Sequence, residues 1–311
     1  MKLSIAILTY NHENYIEKAL NSVLNQKIDY EYEIIVGDDF SNDKTREILL
    51  KFKEKYPEKI KLIFRSKNIG ITSNFIDVFK KCTGEYIALL EGDDYWINDL
   101  KLKSQVEYLD KNQEYIGIAH QNIVINQEEK IINKPKLFKE NVEFSLKKLE
   151  KEGLLYQTAS LMFKNIFNCE EDKLNLIKEI NEKIVDLTLA IILLKKGNIC
   201  ILNEYMSVYR IDTTEKSSSS SAQAFRNLRL FYIGYYEYLE KLEKILLNNE
   251  IELYFLKSSI LLGIIINSLK NKELKETLVK IIYKKKMKIS KQVLIGLGKL
   301  SLKYTFKKIK R

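Results

Sequence analysis

Strand and helix patterns alternate along the first hundred residues, and this alternation constrains the fold more than any other feature of the sequence. Short apolar runs are each followed by apolar residues at helical spacing. The predicted strands are Leu3–Leu8, Glu33–Val36, Lys61–Phe64 and Tyr86–Leu90, and the predicted helices are Ile16–Leu24, a segment ending near Tyr56, and Asn74–Cys82. Alternation of this kind builds a mostly parallel central sheet flanked by helices, so we expect an α/β fold.

The pattern is less regular after residue 100 and becomes almost entirely helical towards the C-terminus. The predicted elements are helices over Lys101–Leu109 and Val185–Leu194 and strands over Ile116–Ile125, Ser160–Phe163 and Tyr205–Tyr209. The serine run Ser217–Ser221 is typical of a flexible loop or linker. We therefore predict an α/β domain over residues 1–216 and a helical, basic region over residues 217–311.

The positive charge of the chain is concentrated in its C-terminal segment. The formal net charge is +10, but residues 271–311 carry 14 basic and 2 acidic residues, so the rest of the chain is close to neutral. A nucleic-acid-binding protein is expected to carry positive charge on its main folded surface, so we expect no nucleic-acid partner. The segment is either a solvated helical face or a surface that docks on an anionic membrane leaflet.

Cysteine and histidine usage narrows the classes of site. Three widely spaced cysteines without a C-x-x-C pair argue against a disulfide scaffold or a cysteine-built zinc site and fit a reducing cytoplasm. Two histidines exclude a histidine-rich metal centre. A signal-peptide pattern is absent, and the apolar stretch Ile260–Ile266 is too short to span a membrane. We expect a soluble cytoplasmic protein, peripheral on the inner face of the membrane if the basic tail docks there.

Polar and acidic residues follow three of the predicted strands, at the ends where open α/β sheets bind ligands. They are Thr9-Tyr10-Asn11, Asp38-Asp39 and Asp93-Asp94. The sequence contains no P-loop and no G-x-G-x-x-G after a strand, so a nucleotide would be held without a glycine cradle. Adjacent carboxylates offer an alternative, because they can hold a divalent cation that bridges the protein and a diphosphate.

Four segments, taken together in order and spacing, resemble the family 2 glycosyltransferases, which have the nucleotide-diphospho-sugar transferase (type A) fold. The segments are S-I-A-I-L-T-Y-N (Ser4–Asn11), I-I-V-G-D-D-F-S-N-D (Ile34–Asp43), K-N-I-G (Lys67–Gly70) and G-E-Y-I-A-L-L-E-G-D-D-Y-W (Gly84–Trp96). The resemblance covers residues 3 to about 211. It implies that residues 1–216 form a catalytic domain that uses a nucleotide-diphospho-sugar donor, usually UDP-linked, and inverts the anomeric carbon.

The resemblance also implies roles for individual residues. Nucleotide-binding positions are matched by Thr9, Tyr10, Asn11, Asp39, Arg65, Asn68 and Asp93. Tyr10 would stack on the nucleobase and Asp39 would accept a hydrogen bond from it. Asp94 matches the ligand of Mg²⁺ or Mn²⁺, and Asp93 reaches the ribose or the metal. Asp186, at the predicted start of a helix, matches the catalytic base.

The chemistry of glycosyl transfer requires groups of these types. A divalent cation offsets the charge of the leaving diphosphate as a Lewis acid, and a carboxylate takes the proton of the acceptor hydroxyl. Each carboxylate also has a structural alternative. Asp38-Asp39 and Asp93-Asp94 could be turn residues, the first pair capping the next helix, and Asp186 could stabilise a helix N-terminus.

Three further residues are placed on the acceptor side, each with a structural alternative. Trp96 is either a platform under a sugar ring or a core residue, and His120 either borders the acceptor cleft or is a satisfied buried histidine. Thr158 either lines the acceptor side or packs in a strand. His12 is expected to be a surface loop residue.

The chain departs from the family pattern at two points. Asp212 stands where many relatives carry a histidine near the metal, and the Q-x-x-R-W motif of processive synthases is absent. We therefore expect a non-processive enzyme that adds one sugar to a hydroxyl of a cell-surface glycan or lipid-linked acceptor. The alternatives are a sugar-phosphate nucleotidyltransferase, which would need a glycine-rich basic loop after the first strand, and a non-catalytic glycan-binding scaffold on the same fold.

Overall fold

A computed structural model describes residues 1–168, 171–182, 184–211 and 228–268 of the chain. The chain divides into two units, the first built from Met1–Ser145 and Tyr156–Ser219 and the second from Leu146–Leu155 and Ser220–Arg311. The boundary predicted near residue 216 does not anticipate that residues 146–155 belong with the C-terminal unit. The basic segment 271–311, the serine run and Asp212 lie outside the described residues.

One large sheet forms the centre of the first unit. Its strands are β1 (Leu3–Thr9), β2 (Tyr32–Asp38), β3 (Ile60–Phe64), β4 (Tyr86–Glu91), β5 (Tyr95–Trp96), β6 (Tyr115–Asn126), β7 (Ile131–Asn133), β8 (Val142–Phe144), β9 (Met162–Lys164) and β10 (Asn198–Ile211). The strand order is β3-β2-β1-β4-β9-β6-β10-β5, with β7 beside β6 and β8 beside β10. Strands β1 to β4 are parallel, as predicted, and so are β6 and β10. The short strand β9 joins these two parallel groups in antiparallel orientation.

Helices flank the sheet and also build the second unit. They are α1 (Ile16–Leu24), α2 (Thr45–Lys55), α3 (Ile71–Phe79), α4 (Lys101–Lys111), α5 (Leu146–Glu152), α6 (Glu171–Ile180), α7 (Asp186–Leu194), α8 (Leu228–Ile245) and α9 (Tyr254–Ser268). The α/β fold class predicted from the sequence is confirmed.

Two predicted elements differ from the structure for identifiable reasons. Helix α3 begins three residues earlier than predicted because Gly70, at φ +85°, turns the chain directly into it. The strand predicted over Ser160–Phe163 is instead a 3₁₀ turn followed by β9. Backbone N–H groups of Ser160 and Leu161 donate to the carbonyls of Gln157 and Thr158, which closes the turn before the strand can start.

The second unit contains a buried ion pair. Lys257 on α9 donates to Glu243 on α8 at 2.5 Å, and the Leu253 backbone N–H donates to the other Glu243 oxygen at 2.7 Å. The pair ties α8 to the start of α9, since a buried charge requires such a partner. Among the described residues, no helix is both long and apolar enough to cross a membrane.

A buried carboxylate joins the strands of the first unit where β1, β2 and β4 are adjacent. Glu33, 1 % exposed, accepts hydrogen bonds from Ser4 Oγ (2.6 Å), the Thr83 N–H and hydroxyl (2.8 and 2.7 Å) and Lys61 Nζ (2.7 Å). Burial alone would raise the pKa of Glu33, but the hydrogen bonds from Lys61, Ser4 and Thr83 together outweigh it, and the pKa lies below its ordinary value of 4.5.

We predict that Glu33→Gln lowers the free energy of unfolding by about 1–3 kcal/mol at pH 7, because the amide cannot satisfy all of these donors. Since the folded pKa is lowered, ionised Glu33 stabilises the fold above about pH 4.5, and this contribution is lost as pH falls through the folded pKa. Urea unfolding at pH 7 and pH 4 measures both effects. The exposed Glu31→Gln serves as control, and equal midpoints for the two variants would contradict the prediction.

Candidate active site

The carboxyl ends of β1, β2 and β4 meet at one edge of the sheet and bring the predicted site residues together. Thr9 pairs with Asp38 across β1 and β2, and Leu8 pairs with Glu91 across β1 and β4. The segments that follow these three strands are therefore neighbours in space, which is the arrangement that the sequence predicted.

The nucleotide-binding positions Thr9, Asp39 and Asn68 form one hydrogen-bonded group. The Asp39 N–H donates to the Thr9 carbonyl at 3.0 Å, and Asn68 Nδ2 donates to the Asp39 carbonyl at 3.0 Å. The Asp39 carboxylate accepts from the backbone N–H groups of Ile69 (2.7 Å) and Gly70 (2.9 Å) and is 4 % exposed. These bonds hold the carboxylate at a defined position, and each oxygen retains a lone pair for a further donor.

The other nucleotide-binding candidates lie around this group. Asn11, in the left-handed region at φ +57°, donates its N–H to Ser41 Oγ at 2.9 Å and accepts from the Asn42 N–H at 3.0 Å. Tyr10 is half-buried. Arg65 bonds through its backbone N–H to the Asp38 carbonyl at 3.3 Å, while its guanidinium pairs with Asp77 at 2.9 Å. Its side chain is thus directed at a helix-borne carboxylate.

Asp38 has a structural role that Asp39 does not share. Its side chain is fully buried, forms an ion pair with Arg46 and accepts the Ser41 N–H at 3.2 Å. Asp38 therefore closes the turn between β2 and α2, although its side chain does not cap α2 itself, whereas the Asp39 carboxylate is bound by backbone N–H groups ahead of α3.

Four carboxylates, from the end of β4, the segment that follows it and the start of α7, form an acidic cluster. They are Glu91, Asp93, Asp94 and Asp186. Burial, followed by the negative charges of Asp93 and Asp186, raises the pKa of Glu91 to about 8, although a hydrogen bond with Thr158 lowers it. Burial, followed by the negative charges of Asp93 and Glu91, raises the pKa of Asp94 well above its usual value. Mutual repulsion in a desolvated site accounts for both directions.

Adjacent Asp93 and Asp94 have different surroundings. Asp94 is 1 % exposed and accepts the Arg210 backbone N–H at 2.8 Å through Oδ1. The Asp93 side chain is 19 % exposed, and its Oδ2 lies 3.8 Å from His12 Nε2. Asp93 is thus the more accessible member of the pair. His12 lies in the loop between β1 and α1, as expected, but its ring lies beside Asp93 and only 17 % of the side chain is exposed.

Arg210, a residue without a role in the sequence prediction, connects the acidic segment to two other parts of the unit. Its guanidinium donates to the carbonyls of Asp93 (3.0 Å) and Asn126 (3.3 Å) and to Glu129 Oε1 (3.2 Å), and it lies 4.3 Å from the centre of the Tyr15 ring. The side chain is 1 % exposed. Its fixed positive charge also lowers the pKa of Asp94 in part, so Arg210 positions the acidic segment and offsets its charge.

Asp186 is the first residue of α7, as the sequence predicted, and its Oδ1 accepts the N–H of Leu187 at 2.8 Å. Asp186 is exposed as a residue. Even so, the protein atoms around its carboxyl group desolvate that group and raise the pKa of Asp186. The negative charge of Asp186 acts on Glu91 and on the phenols of Tyr156 and Tyr209, whose pKa values burial already raises. Asp186 therefore belongs to the same acidic site although it follows Asp93 at a large distance in sequence.

The three acceptor-side candidates do not lie together in the structure. Thr158 lies in the 3₁₀ turn that packs against β4, and its side chain lowers the pKa of Glu91, so it borders the site. Trp96 is 4 % exposed in the core, where its Nε1 donates to the Ala159 carbonyl at 2.9 Å. His120 is fully buried, and burial together with the charge of Lys101 lowers its pKa. For Trp96 the structure supports the core alternative. His120 is likewise buried away from ligands, but only its Nδ1 has a hydrogen-bond partner among the described residues, while its Nε2 has none.

The carboxylates can be tested as ligands of the divalent cation that the family resemblance implies. Among the residues described, no three His, Cys, Asp or Glu side chains are grouped to hold a metal ion by themselves. Asp94 Oδ2 and Glu91 Oε2, however, are buried and lack a hydrogen-bond partner within the described part of the chain. Such oxygens fit a hard cation that takes one or two protein ligands and completes its shell from a diphosphate and water.

Comparison with known proteins identifies the class. The model of glycosyl transferase family 2 matches residues 4–170, so the chain belongs to this family. An uncharacterised protein of Mycobacterium tuberculosis, Rv1520, is 41% identical over 126 residues, which are 40% of this chain and 36% of the relative. The glycosyltransferase alr2836 of Nostoc sp. is 36% identical over 133 residues, 43% of this chain and 40% of the relative. The chain thus matches only about two fifths of the length of these relatives.

The fold is shared with TarS of Staphylococcus aureus, which is named a poly(ribitol-phosphate) β-N-acetylglucosaminyltransferase. Sequence identity is 35% over 114 residues, 36% of this chain and 19% of TarS. The crystal structure of TarS residues 1–349 with UDP-GlcNAc superimposes with a TM-score of 0.62 at 19% identity, covering 96% of this chain and 80% of that one. The predicted family and type A fold are confirmed.

We predict that Glu91→Gln becomes more stabilising, relative to the unsubstituted protein, as pH rises from 5 to 8 in the absence of divalent ions. In the folded protein the pKa near 8 keeps Glu91 protonated, whereas in the unfolded chain Glu91 ionises near pH 4.5. The free energy of unfolding of the unsubstituted protein therefore falls as pH rises through this interval. Glutamine does not titrate, so the variant does not undergo this decrease. Thermal unfolding at both pH values measures the difference. The exposed control Glu54→Gln should show the same difference in melting temperature from the unsubstituted protein at both pH values. The same pH-independent difference for Glu91→Gln would contradict the prediction.

Substitution of Arg210 tests its positioning role. Arg210→Met should lower the free energy of unfolding by roughly 3–5 kcal/mol, since it leaves buried acceptors unpaired, whereas Arg210→Lys keeps the charge and loses the forked hydrogen bonds. We expect the lysine variant to be intermediate in denaturant unfolding. Equal losses in both variants would show that the charge contributes nothing.

Proposed function

We propose that the chain transfers one sugar from a nucleotide-diphosphate donor, UDP-linked, to a hydroxyl of a cell-surface glycan or lipid-linked acceptor, with inversion at the anomeric carbon. The observation that carries the proposal is the juxtaposition, across strand β1, of the Thr9–Asp39–Asn68 group and the acidic cluster. One group suits a nucleoside and the other suits the charged reacting end of the donor. Membership of family 2 and the name of TarS support the same class of reaction.

The described residues have complementary tasks in this proposal. Asp39 accepts a hydrogen bond from the base and Tyr10 stacks on it. Asp186 receives the proton of the acceptor hydroxyl, since its raised pKa makes its ionised form a stronger base than an ordinary aspartate. Asp93 and Asp94 would hold Mg²⁺ or Mn²⁺, which supplies Lewis-acid neutralisation of the diphosphate when bound.

The location of the protein is part of the proposal. We place it in the cytoplasm, peripheral on the inner face of the membrane, where a lipid-linked acceptor would be presented. The support is the basic composition of residues 271–311, because lysines near an anionic leaflet each add about 1 kcal/mol of attraction.

We predict that Asp186→Asn lowers kcat about 10²- to 10⁴-fold while UDP with Mn²⁺ still raises the melting temperature, because the variant loses the base and keeps the nucleotide site. Nucleotide release from a panel of UDP- and GDP-sugars measures turnover, and thermal shift with UDP or GDP, with and without Mn²⁺, measures binding. Asp172→Asn, an exposed residue on α6, is the control.

The outcomes separate the alternatives. Metal-dependent stabilisation by one diphosphate together with loss of turnover in Asp186→Asn supports the transferase. A protein that responds to neither nucleotide is a scaffold on this fold, and one that releases pyrophosphate from a nucleoside triphosphate and a sugar phosphate is a nucleotidyltransferase. Either result overturns the proposal.

A further inference from the structure

His12 is held in the acidic site by contacts on both sides of its ring. Nδ1 lies 3.3 Å from Thr9 Oγ1, Nε2 lies 3.8 Å from Asp93 Oδ2, and the side chain is 17 % exposed. A Cβ on Gly92 would come within 2.8 Å of His12 Nδ1 and 2.7 Å of Thr9 Oγ1. The glycine between Glu91 and Asp93 therefore makes room for the imidazole to lie over the acidic segment.

The contact with Thr9 is compatible with the tautomer that leaves Nε2 available, because the threonine hydroxyl can accept from Nδ1–H. When Nδ1–H donates to Thr9 Oγ1, Nε2 carries the lone pair and faces Asp93. Histidine ligands of metal ions are commonly oriented in this way, with the second ring nitrogen bonded to an oxygen of the protein. The arrangement leaves a nitrogen and an oxygen donor side by side at the accessible end of the acidic cluster.

The separation of these two donor atoms suits a shared ion. Nitrogen and oxygen ligands lie about 2.0–2.2 Å from a divalent transition ion, so two ligands of one ion are roughly 3–4.2 Å apart, depending on the angle between them. The observed 3.8 Å falls in this interval and exceeds hydrogen-bond length. In the next residue along the chain, the buried Asp94 Oδ2 has no hydrogen-bond partner within the described ranges.

We propose that His12 is a metal ligand, binding the divalent cation through Nε2 together with Asp93. The inference rests on the proposed function, because the diphosphate of the donor completes the coordination shell. Imidazole suits transition ions, whereas Mg²⁺ prefers oxygen ligands. His12 therefore makes the site selective for an ion such as Mn²⁺ over Mg²⁺.

Pulsed electron paramagnetic resonance of Mn²⁺ bound with UDP tests the assignment on the full-length chain. We expect ¹⁴N modulation typical of a coordinated imidazole and ³¹P coupling from the diphosphate. His12→Phe should abolish the ¹⁴N signal and retain the ³¹P coupling. Because the chain has two histidines and His120 is fully buried, the nitrogen signal can be assigned to His12.

Calorimetry gives a second readout on the same variants. In the presence of UDP, His12→Phe and His12→Gln should weaken Mn²⁺ binding roughly 10- to 100-fold and Mg²⁺ binding much less. Gly92→Ala, which displaces the ring, should lower Mn²⁺ affinity in the same direction, whereas the exposed neighbour Asn14→Ser should not. The glutamine variant keeps the measurement possible if the phenylalanine variant does not fold.

The two readouts distinguish the failure of this inference from the failure of the proposed function. Phosphorus coupling without imidazole modulation, or an unchanged ratio of Mn²⁺ to Mg²⁺ affinity in both His12 variants, overturns the assignment of His12 and leaves the transferase intact. Absence of both couplings, with no Mn²⁺–UDP complex formed, overturns the proposed function as well.

Discussion

The crowding of carboxylates at one desolvated edge of the sheet is the constraint on which the site depends. Glu91 and Asp94 have raised pKa values because burial and neighbouring negative charges both disfavour ionisation. The surrounding structure compensates only in part, through the Arg210 guanidinium and backbone N–H groups. A protein that retains such unfavourable charge gains from any cation that binds there, which is the electrostatic property that transfer from a diphosphate requires.

Within each pair of adjacent aspartates, the two carboxylates have different surroundings. Asp38 pairs with Arg46 inside the unit, while the Asp39 carboxylate is held by the backbone amides of Ile69 and Gly70. Asp94 accepts the Arg210 N–H, while Asp93 faces His12. The members of each pair lie where a strand gives way to a turn, so neighbouring carboxylates have different partners and different exposure. The family resemblance assigned the metal to Asp94, with Asp93 reaching the ribose or the metal, and the structure makes Asp93 the more accessible carboxylate.

Much of the fold was predictable because its signals are local. Strands β1 to β4 and the helices between them follow from periodicity and from polar residues at the strand ends. Elements of two or three residues, such as β5 and β9, are too short to carry a pattern, and their pairing depends on partners distant in sequence. The sequence also could not predict that residues 146–155 belong to the second unit, because this depends on the packing of α5 against α9, which is distant in sequence.

The amino-acid sequence by itself determined the α/β class, the family and the acidic residues at the strand ends, because these depend on spacing along a single stretch of chain. Tertiary structure decided which of those residues face one another. Arg210 meets Asp94 across a separation of 116 residues, and His12 meets Asp93 only because β1 and β4 are neighbours. Neither contact can be predicted from the local sequence, because the role of a single arginine or histidine depends on the charged groups that folding places beside it.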